Sequence, residues 1–163
     1  MGTLNLGGAA FAFDSSGNWT SAPTGSIIQI QTNSNIFTET STTLVSTFVP
    51  SAIQVTITPR FASSKILITW TAWCNSSATA NHVAWSLHRN GTNLETTGAT
   101  FGMGNYYNNG GSIEGHSVGN FIDLPNSTAP LTYNVYLLSF NGNQVRIGNT
   151  TRASYINAFE IAQ

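Results

Sequence analysis

Residues 85–95 read WSLHRNGTNLE, and this stretch predicts a β-hairpin. Asn90-Gly91 between alternating apolar residues is the strongest short-range hairpin signal, because both positions accept the positive φ angles of a type I′ turn. Side chains alternate between the two faces of a strand. Alternation therefore places Trp85 and Leu87 on the core side, and His88 on the other side, beside the polar tip of the hairpin.

Similar strand-like runs, bounded by Gly, Pro, Asn and Ser, recur along the rest of the chain. They are SIIQIQT (26–32), TLVSTFV (43–49), IQVTITP (53–59), KILITWTAWC (65–74), SIEGHSVGNFIDL (112–124), LTYNVYLLSF (131–140), QVRIG (144–148) and SYINAFEIA (154–162). Asn141-Gly142 predicts a second hairpin after LTYNVYLLSF. No helix is predicted. About ten strands in one domain predict an all-β fold, a two-sheet antiparallel β-sandwich of the jelly-roll type.

The first residues of the chain differ from this pattern. Residues 1–24 contain short apolar alternations between glycines and predict an extended N-terminal arm, followed by a jelly-roll domain over residues 25–163. Large apolar side chains are costly to leave in water, so we expect the arm to anchor on a partner rather than to fray. The candidate anchoring residues are Leu4, Leu6, Phe11, Phe13 and Trp19.

Charge is scarce in this sequence. Charged residues make up 7% of the 163 residues, against about 25% in an average globular domain. Disorder usually requires high net charge, and nucleic-acid binding requires clustered Lys and Arg, so neither is expected. No apolar run is long enough for a membrane helix, and the N-terminus lacks the basic region of a secretory signal.

Several strands are apolar on both faces, as in KILITWTAWC and LTYNVYLLSF. An antiparallel sandwich normally leaves one face of each sheet in water. We expect the outer face to be buried by another subunit. A covering loop or the N-terminal segment is the alternative.

Candidates for chemistry are few. Glu114 and His116 share a strand face, but a metal site needs three or four ligands. Cys74 has no basic partner nearby in sequence, which favours a buried and inert thiol. The acidic residues show no pairing that suggests glycoside hydrolysis. We predict no catalytic residue, no metal site and no cofactor, and therefore no enzyme.

The Gly- and Asn-rich stretch 98–111 predicts a long loop. Its aromatic and amide side chains suit a sugar ring and equally suit a subunit contact; a plain loop is the third reading. The candidate surface recognition residues are Asn105, Tyr106, Tyr107 and Asn108, with His88 and Arg89 beside the hairpin turn.

The order of five motifs resembles a family of bacteriophage virion proteins common in marine and cyanobacterial phages. The motifs are GSIIQIQ (25–31), VTITPRFASSKILI (55–68), WSLHRNGT (85–92), FIDLPNSTAPLTYNVYL (121–137) and INAFEIAQ (156–163). The resemblance implies a trimeric jelly roll of the kind found on head-decoration (cement) proteins and at the C-terminal tip of tail fibres. It carries no catalytic motif.

This resemblance leads to two expected functions. With only 24 residues ahead of the domain and no repeat, the sequence favours a homotrimeric capsid decoration protein that clamps neighbouring copies of the major capsid protein and stabilises the shell. The alternative is a receptor-binding tip of a tail or tail fibre that contacts host-surface glycan. In either case we expect assembly in the host cytoplasm and a final location in the virion.

Overall fold

The computed structural model describes residues 2–6, 9–17, 19–35, 37–78, 81–95, 103–108 and 110–163. The described part of the chain is all strand, turn and loop, and no helix in it is long and apolar enough to cross a membrane. The strands are β1 (Gly2–Leu6), β2 (Ala9–Phe13), β3 (Trp19–Ser21), β4 (Ile27–Asn35), β5 (Thr40–Thr42), β6 (Val49–Ile57), β7 (Lys65–Ser76), β8 (Asn81–Arg89), β9 (Thr92–Asn93), β10 (Gly104–Asn108), β11 (Ile113–Asp123), β12 (Leu131–Ser139), β13 (Val145–Ile147) and β14 (Ser154–Ile161).

Eight of these strands form two antiparallel sheets whose order defines the fold. Sheet I has the order β4-β14-β7-β11, with the short β13 and β5 continuing beside β7. Sheet II has the order β6-β12-β8-β10, with β9 paired to the end of β8. The first of the eight strands pairs with the last, the second with the seventh, the third with the sixth and the fourth with the fifth. This nested pairing is a jelly roll, and it confirms the predicted fold class.

The hairpin at Asn90-Gly91 forms as predicted. Both residues have positive φ, 49° and 84°, and Arg89 pairs with Thr92 across the turn. The predicted second hairpin is wrong, because β12 lies in sheet II whereas β13 lies in sheet I. Only Gly142 of the second Asn-Gly pair has a positive φ (79°), so residues 140–144 cross between the sheets instead of reversing within one.

The core lies between the two sheets and contains the side chains that alternation predicts. Trp85 and Leu87 are both buried. Trp70 lies over Gly119 of the neighbouring strand and donates a hydrogen bond from its indole nitrogen to Ser117 Oγ at 2.9 Å. A Cβ atom at Gly119 would lie 2.2 Å from that indole ring, so close packing of the tryptophan requires glycine there.

One buried ionic cluster joins the two sheets. Arg89, at the end of β8, contacts both carboxylate oxygens of Asp123, at the end of β11, at 2.9 and 2.7 Å. The hydroxyl of Tyr133 on β12 donates to the same carboxylate at 2.6 Å. Burial, followed by the neighbouring Asp123, raises the pKa of Tyr133 well above its usual value.

A second buried carboxylate organises the loop after β6. Glu160 is fully buried and accepts hydrogen bonds from the backbone N–H groups of Arg60 and Phe61 at 2.8 and 3.1 Å. The hydroxyl of Ser64 and the side-chain amide of Gln29 donate to it at 2.7 and 2.6 Å. Four donors around a buried carboxylate replace the water that it loses on folding.

The outer faces of the two sheets differ. On sheet II the segment 43–48 lies against the outer face: Leu44 accepts a hydrogen bond from Ser139, and the Phe48 ring lies 6.1 Å from that of His88. Ser86, on the same face, is fully buried. Around His88 and Ser86, therefore, a loop of the same chain covers the outer face of sheet II, which is the alternative expected from the sequence.

Candidate functional site

The N-terminal residues form a small sheet of their own. β1, β2 and β3 pair antiparallel in that order, so residues 2–21 reverse direction twice instead of running as the single extended arm expected from the sequence. The second reversal begins at Asp14, whose side chain accepts from Ser16 N at 2.8 Å and whose carbonyl accepts from Gly17 N at 3.2 Å. Short polar turns of this kind favour a meander over an extended segment.

The strand register brings three of the five candidate anchoring residues to one face of this N-terminal sheet. Leu4 pairs with Phe11, and Phe13 pairs with Trp19 across the next strand boundary. Phe13 has the same parity as Phe11 in β2, so Leu4, Phe11 and Phe13 share one face. Leu4 is 49% exposed, and Phe11 and Phe13 are half-buried. The side chains of Leu6 and Trp19 lie outside the described residues.

The N-terminal sheet is set apart from the core of the sandwich. Its strands pack extensively with one another, and in the described part of the chain none of its residues belongs to the core cluster between sheets I and II. The connection runs through Gly25, whose N–H donates to Ala162 O at 2.8 Å. A three-stranded sheet becomes stable when its apolar face packs on something. On this face Leu4 is half exposed and therefore open to a further contact.

The predicted recognition loop is partly a strand. Residues 104–108 form β10 at the edge of sheet II, where Asn105 pairs with Ala84 and Tyr106 with Val83. The side chains of Asn105, Tyr106, Tyr107 and Asn108 lie outside the described residues, as does the segment 96–102. Pairing with β8 supplies the backbone hydrogen bonds that a free loop would take from water.

His88 and Arg89 do not join those tyrosines at one site. Val83 and His88 are five residues apart on β8, which is about 16 Å along a strand. His88 is 7% exposed, and its ring stacks on Tyr136 with centroids 3.6 Å apart and planes 4° apart. Burial lowers the pKa of His88. The sequence predicts an exposed polar tip at this hairpin. For His88 that prediction is wrong, because the Phe48 segment and Tyr136 cover its ring.

Arg89 serves the ionic cluster between the sheets. Its guanidinium pairs with Asp123, and 28% of its side chain stays exposed. Both contacts are made by Nη1, and they hold the guanidinium in the ionic cluster between the sheets. This contact gives Arg89 a structural role that sequence separation hides.

The remaining candidates for chemistry are Cys74, Glu114 and His116. Cys74 is buried, and desolvation raises its pKa to about 12. Glu114 and His116 lie on the outer face of sheet I, and Glu114 forms an ion pair with Arg152. Among the described residues, no three His, Cys, Asp or Glu side chains are grouped to hold a metal ion.

Neither buried carboxylate was predicted from the sequence, although the alternation of side chains contained a signal for both. Asp123 has the parity of the inward-facing Phe121, and Glu160 has that of the core residues Ile156 and Ala158. An acidic residue at a core-facing position requires buried donors. The positions of both were readable from the sequence, but their donors lie on distant strands.

No protein-family model and no curated protein matches the chain. Solved structures of infectious bursal disease virus are similar to it. The structure of the Gt strain is 10% identical, with 85% of this chain and 39% of that chain covered and a TM-score of 0.47. The VP2 subviral particle is 10% identical, with 85% and 38% covered and a TM-score of 0.44. The Gx strain is 8% identical, with 93% and 40% covered and a TM-score of 0.47. This chain spans about two fifths of the length of those structures. The nested strand order of sheets I and II defines the jelly roll independently of these similarities.

Proposed function

We propose that this protein is a homotrimeric capsid decoration protein of a bacteriophage, and that its N-terminal sheet docks on the major capsid protein. The observation that carries the proposal is the register of the N-terminal sheet, which places Leu4, Phe11 and Phe13 on one face of a sheet whose described residues are not part of the sandwich core. The trimer and the phage virion come from the motif resemblance described above.

The energetics suit a clamp made of several weak contacts. Completing the burial of Leu4, Phe11 and Phe13 is worth about 0.5–1 kcal/mol for each side chain, since each is already partly covered. One sheet alone therefore binds weakly. A trimer presents three such sheets, and simultaneous engagement raises the avidity without any new kind of contact. Binding to the assembled shell but not to its free subunits stabilises the shell by linkage.

The charges of the chain favour a protein partner over the packaged DNA. Lys and Arg together number 5. Three of these cations, Arg89, Arg146 and Arg152, form ion pairs with acidic residues of the same chain. Neutralising DNA phosphates requires several free cations on one surface.

A cosedimentation assay with heads that lack the protein tests the docking face. We expect the double substitution Leu4→Asp and Phe11→Asp to abolish binding, because both carboxylates would be buried against the shell. Thr3→Asp is the matched control, since Thr3 is exposed on the opposite face of β1. Heads that bind the double variant as well as the unaltered protein would contradict the docking face.

Copy number in purified virions tests the location independently. A decoration protein is expected in numbers comparable to the major capsid protein, as measured by quantitative mass spectrometry. A count far below that would contradict a shell component and would favour the receptor-binding tip.

A further inference from the structure

The outer face of sheet I carries an apolar row that crosses all four main strands. The register pairs Ile30 with Phe159, Phe159 with Leu67, and Leu67 with Ile122. These four residues, here called the apolar row, have the parity opposite to the core residues Ile66, Ile68 and Ala158. They consequently point away from the sandwich.

The apolar row is the centre of a larger exposed surface. Ile30 is 53% and Ile122 is 56% exposed, and further apolar side chains on the same sheet are similarly open to solvent. These are Ile27, Val118, Leu124 and Tyr155. Six large side chains, each about half exposed, contribute roughly 500 Å² of surface. A polar row of Thr32, Asn157, Thr69 and Asn120 separates Val118 and Tyr155 from the apolar row, so this area is divided between two neighbouring patches. Together they are a large part of the approximately 800 Å² per partner of a standard interface.

The charges on this face favour a second copy of the same chain as the occupant. The ionised groups near the β13 end form ion pairs within the chain, Glu114 with Arg152 and Glu39 with Arg146. They add no net charge to the face. An identical copy is therefore only weakly repelled by the single lysine of this face, whereas a strongly acidic or basic partner finds little charge to recognise. Lys65 lies in the next row of the outer face, beside Ile161.

The two sheets also differ in what covers them. On sheet II, Phe48 of the segment 43–48 and the ring of Tyr136 cover His88, and Ser86 beside it is fully buried, whereas Pro50, Gln54 and Thr56 at the β6 edge stay exposed. On sheet I the apolar row remains open in the single chain. From the area, the low net charge and this asymmetry, we infer that the outer face of sheet I is the surface through which copies of this chain associate. The inference deepens the proposed function, on which the trimeric stoichiometry rests.

The test measures self-association in the purified full-length protein, without heads. Sedimentation equilibrium at micromolar concentrations is expected to show an oligomer for the unaltered chain. Replacing Ile30 and Ile122 by Lys puts like charges at both ends of the apolar row, and we expect the dissociation constant to rise at least about tenfold per substitution. Leu44→Lys is the matched control, because Leu44 is 50% exposed but lies in the 43–48 segment.

Two variants with opposite charges test whether the outer face of sheet I binds a second copy of the same chain. The Ile30→Glu and Ile122→Glu variant is expected to be dissociated alone and to associate with the Lys variant when the two are mixed. Circular dichroism verifies that each variant is folded. If the charged variants do not fold, Ile30→Thr and Ile122→Thr, which keep β-branched residues, are expected to weaken association in the same way.

Three results would overturn the inference: a monomeric unaltered protein, a Lys variant that associates as tightly as the Leu44→Lys control, or no association between the Lys and Glu variants. The head-binding assay distinguishes this failure from failure of the proposed function. The Leu4→Asp and Phe11→Asp variant is expected to remain oligomeric but to bind heads no longer. If it dissociates and the Lys variant does not, the N-terminal sheet is the association surface, and the role assigned to sheet I is wrong.

Discussion

Replacing Arg89 by Met should weaken the joint between the two sheets without touching the core. The change removes both contacts to Asp123, a residue that is only 7% exposed, and leaves the Tyr133 hydroxyl as its remaining side-chain donor. Breaking a buried ion pair by removing one partner costs about 3–5 kcal/mol. Because the Arg89 side chain is 28% exposed, we expect the lower end, about 3 kcal/mol.

Combining Arg89→Met with a substitution of Asp123 measures the interaction free energy between the two residues. Asp123→Asn keeps a side chain of the same shape and removes the charge, so adding it to Arg89→Met should restore part of the lost stability. A coupling free energy of about 1–3 kcal/mol is expected for two groups in direct contact. For a domain of this size, a loss of about 3 kcal/mol lowers the melting temperature by roughly 6–12 °C.

Urea unfolding of the four proteins of this cycle, at one fixed protein concentration, measures the free energies. The concentration is held constant because self-association makes the apparent stability depend on it. A loss below about 1 kcal/mol for Arg89→Met, or additive effects in the double variant, would refute the structural role of the pair. Arg89 would then again be a candidate for surface recognition.

Three further predictions concern single side chains. Gly119→Ala should destabilise the protein by about 1–3 kcal/mol in urea unfolding, because the new methyl group displaces Trp70. Gly110→Ala is the control and should have little effect, because no atom lies near the added Cβ. Burial lowers the pKa of His88, so below about pH 6.5 the unfolded state binds more protons than the folded state. The free energy of unfolding should therefore fall as the pH drops from 7 towards 5, and His88→Gln should flatten that slope. Burial raises the pKa of Cys74 to about 12. A maleimide at pH 8 should therefore label the native thiol far more slowly than the urea-unfolded thiol, and equal labelling rates would disprove its burial.

The sequence by itself determined the features that depend on neighbouring residues. The type I′ turn at Asn90-Gly91 was predictable because both residues accept positive φ, and alternation correctly placed Trp85 and Leu87 in the core. Alternation within β1 and β2 likewise assigns Leu4 and Phe11 to one face each, although the antiparallel register that brings these two faces together was not anticipated. Side-chain parity is a property of a single strand, so local sequence is sufficient for it.

Only the tertiary structure decided what lies on the second face of each sheet. His88 has the outward parity that the sequence indicates, yet it is buried, because Phe48 and Tyr136 come to it from distant parts of the chain. Arg89 meets Asp123 across 34 positions, and that contact depends on the packing of sheet I on sheet II. Alternation distinguishes two faces, but it does not determine which of them another segment, or another copy of the chain, will cover.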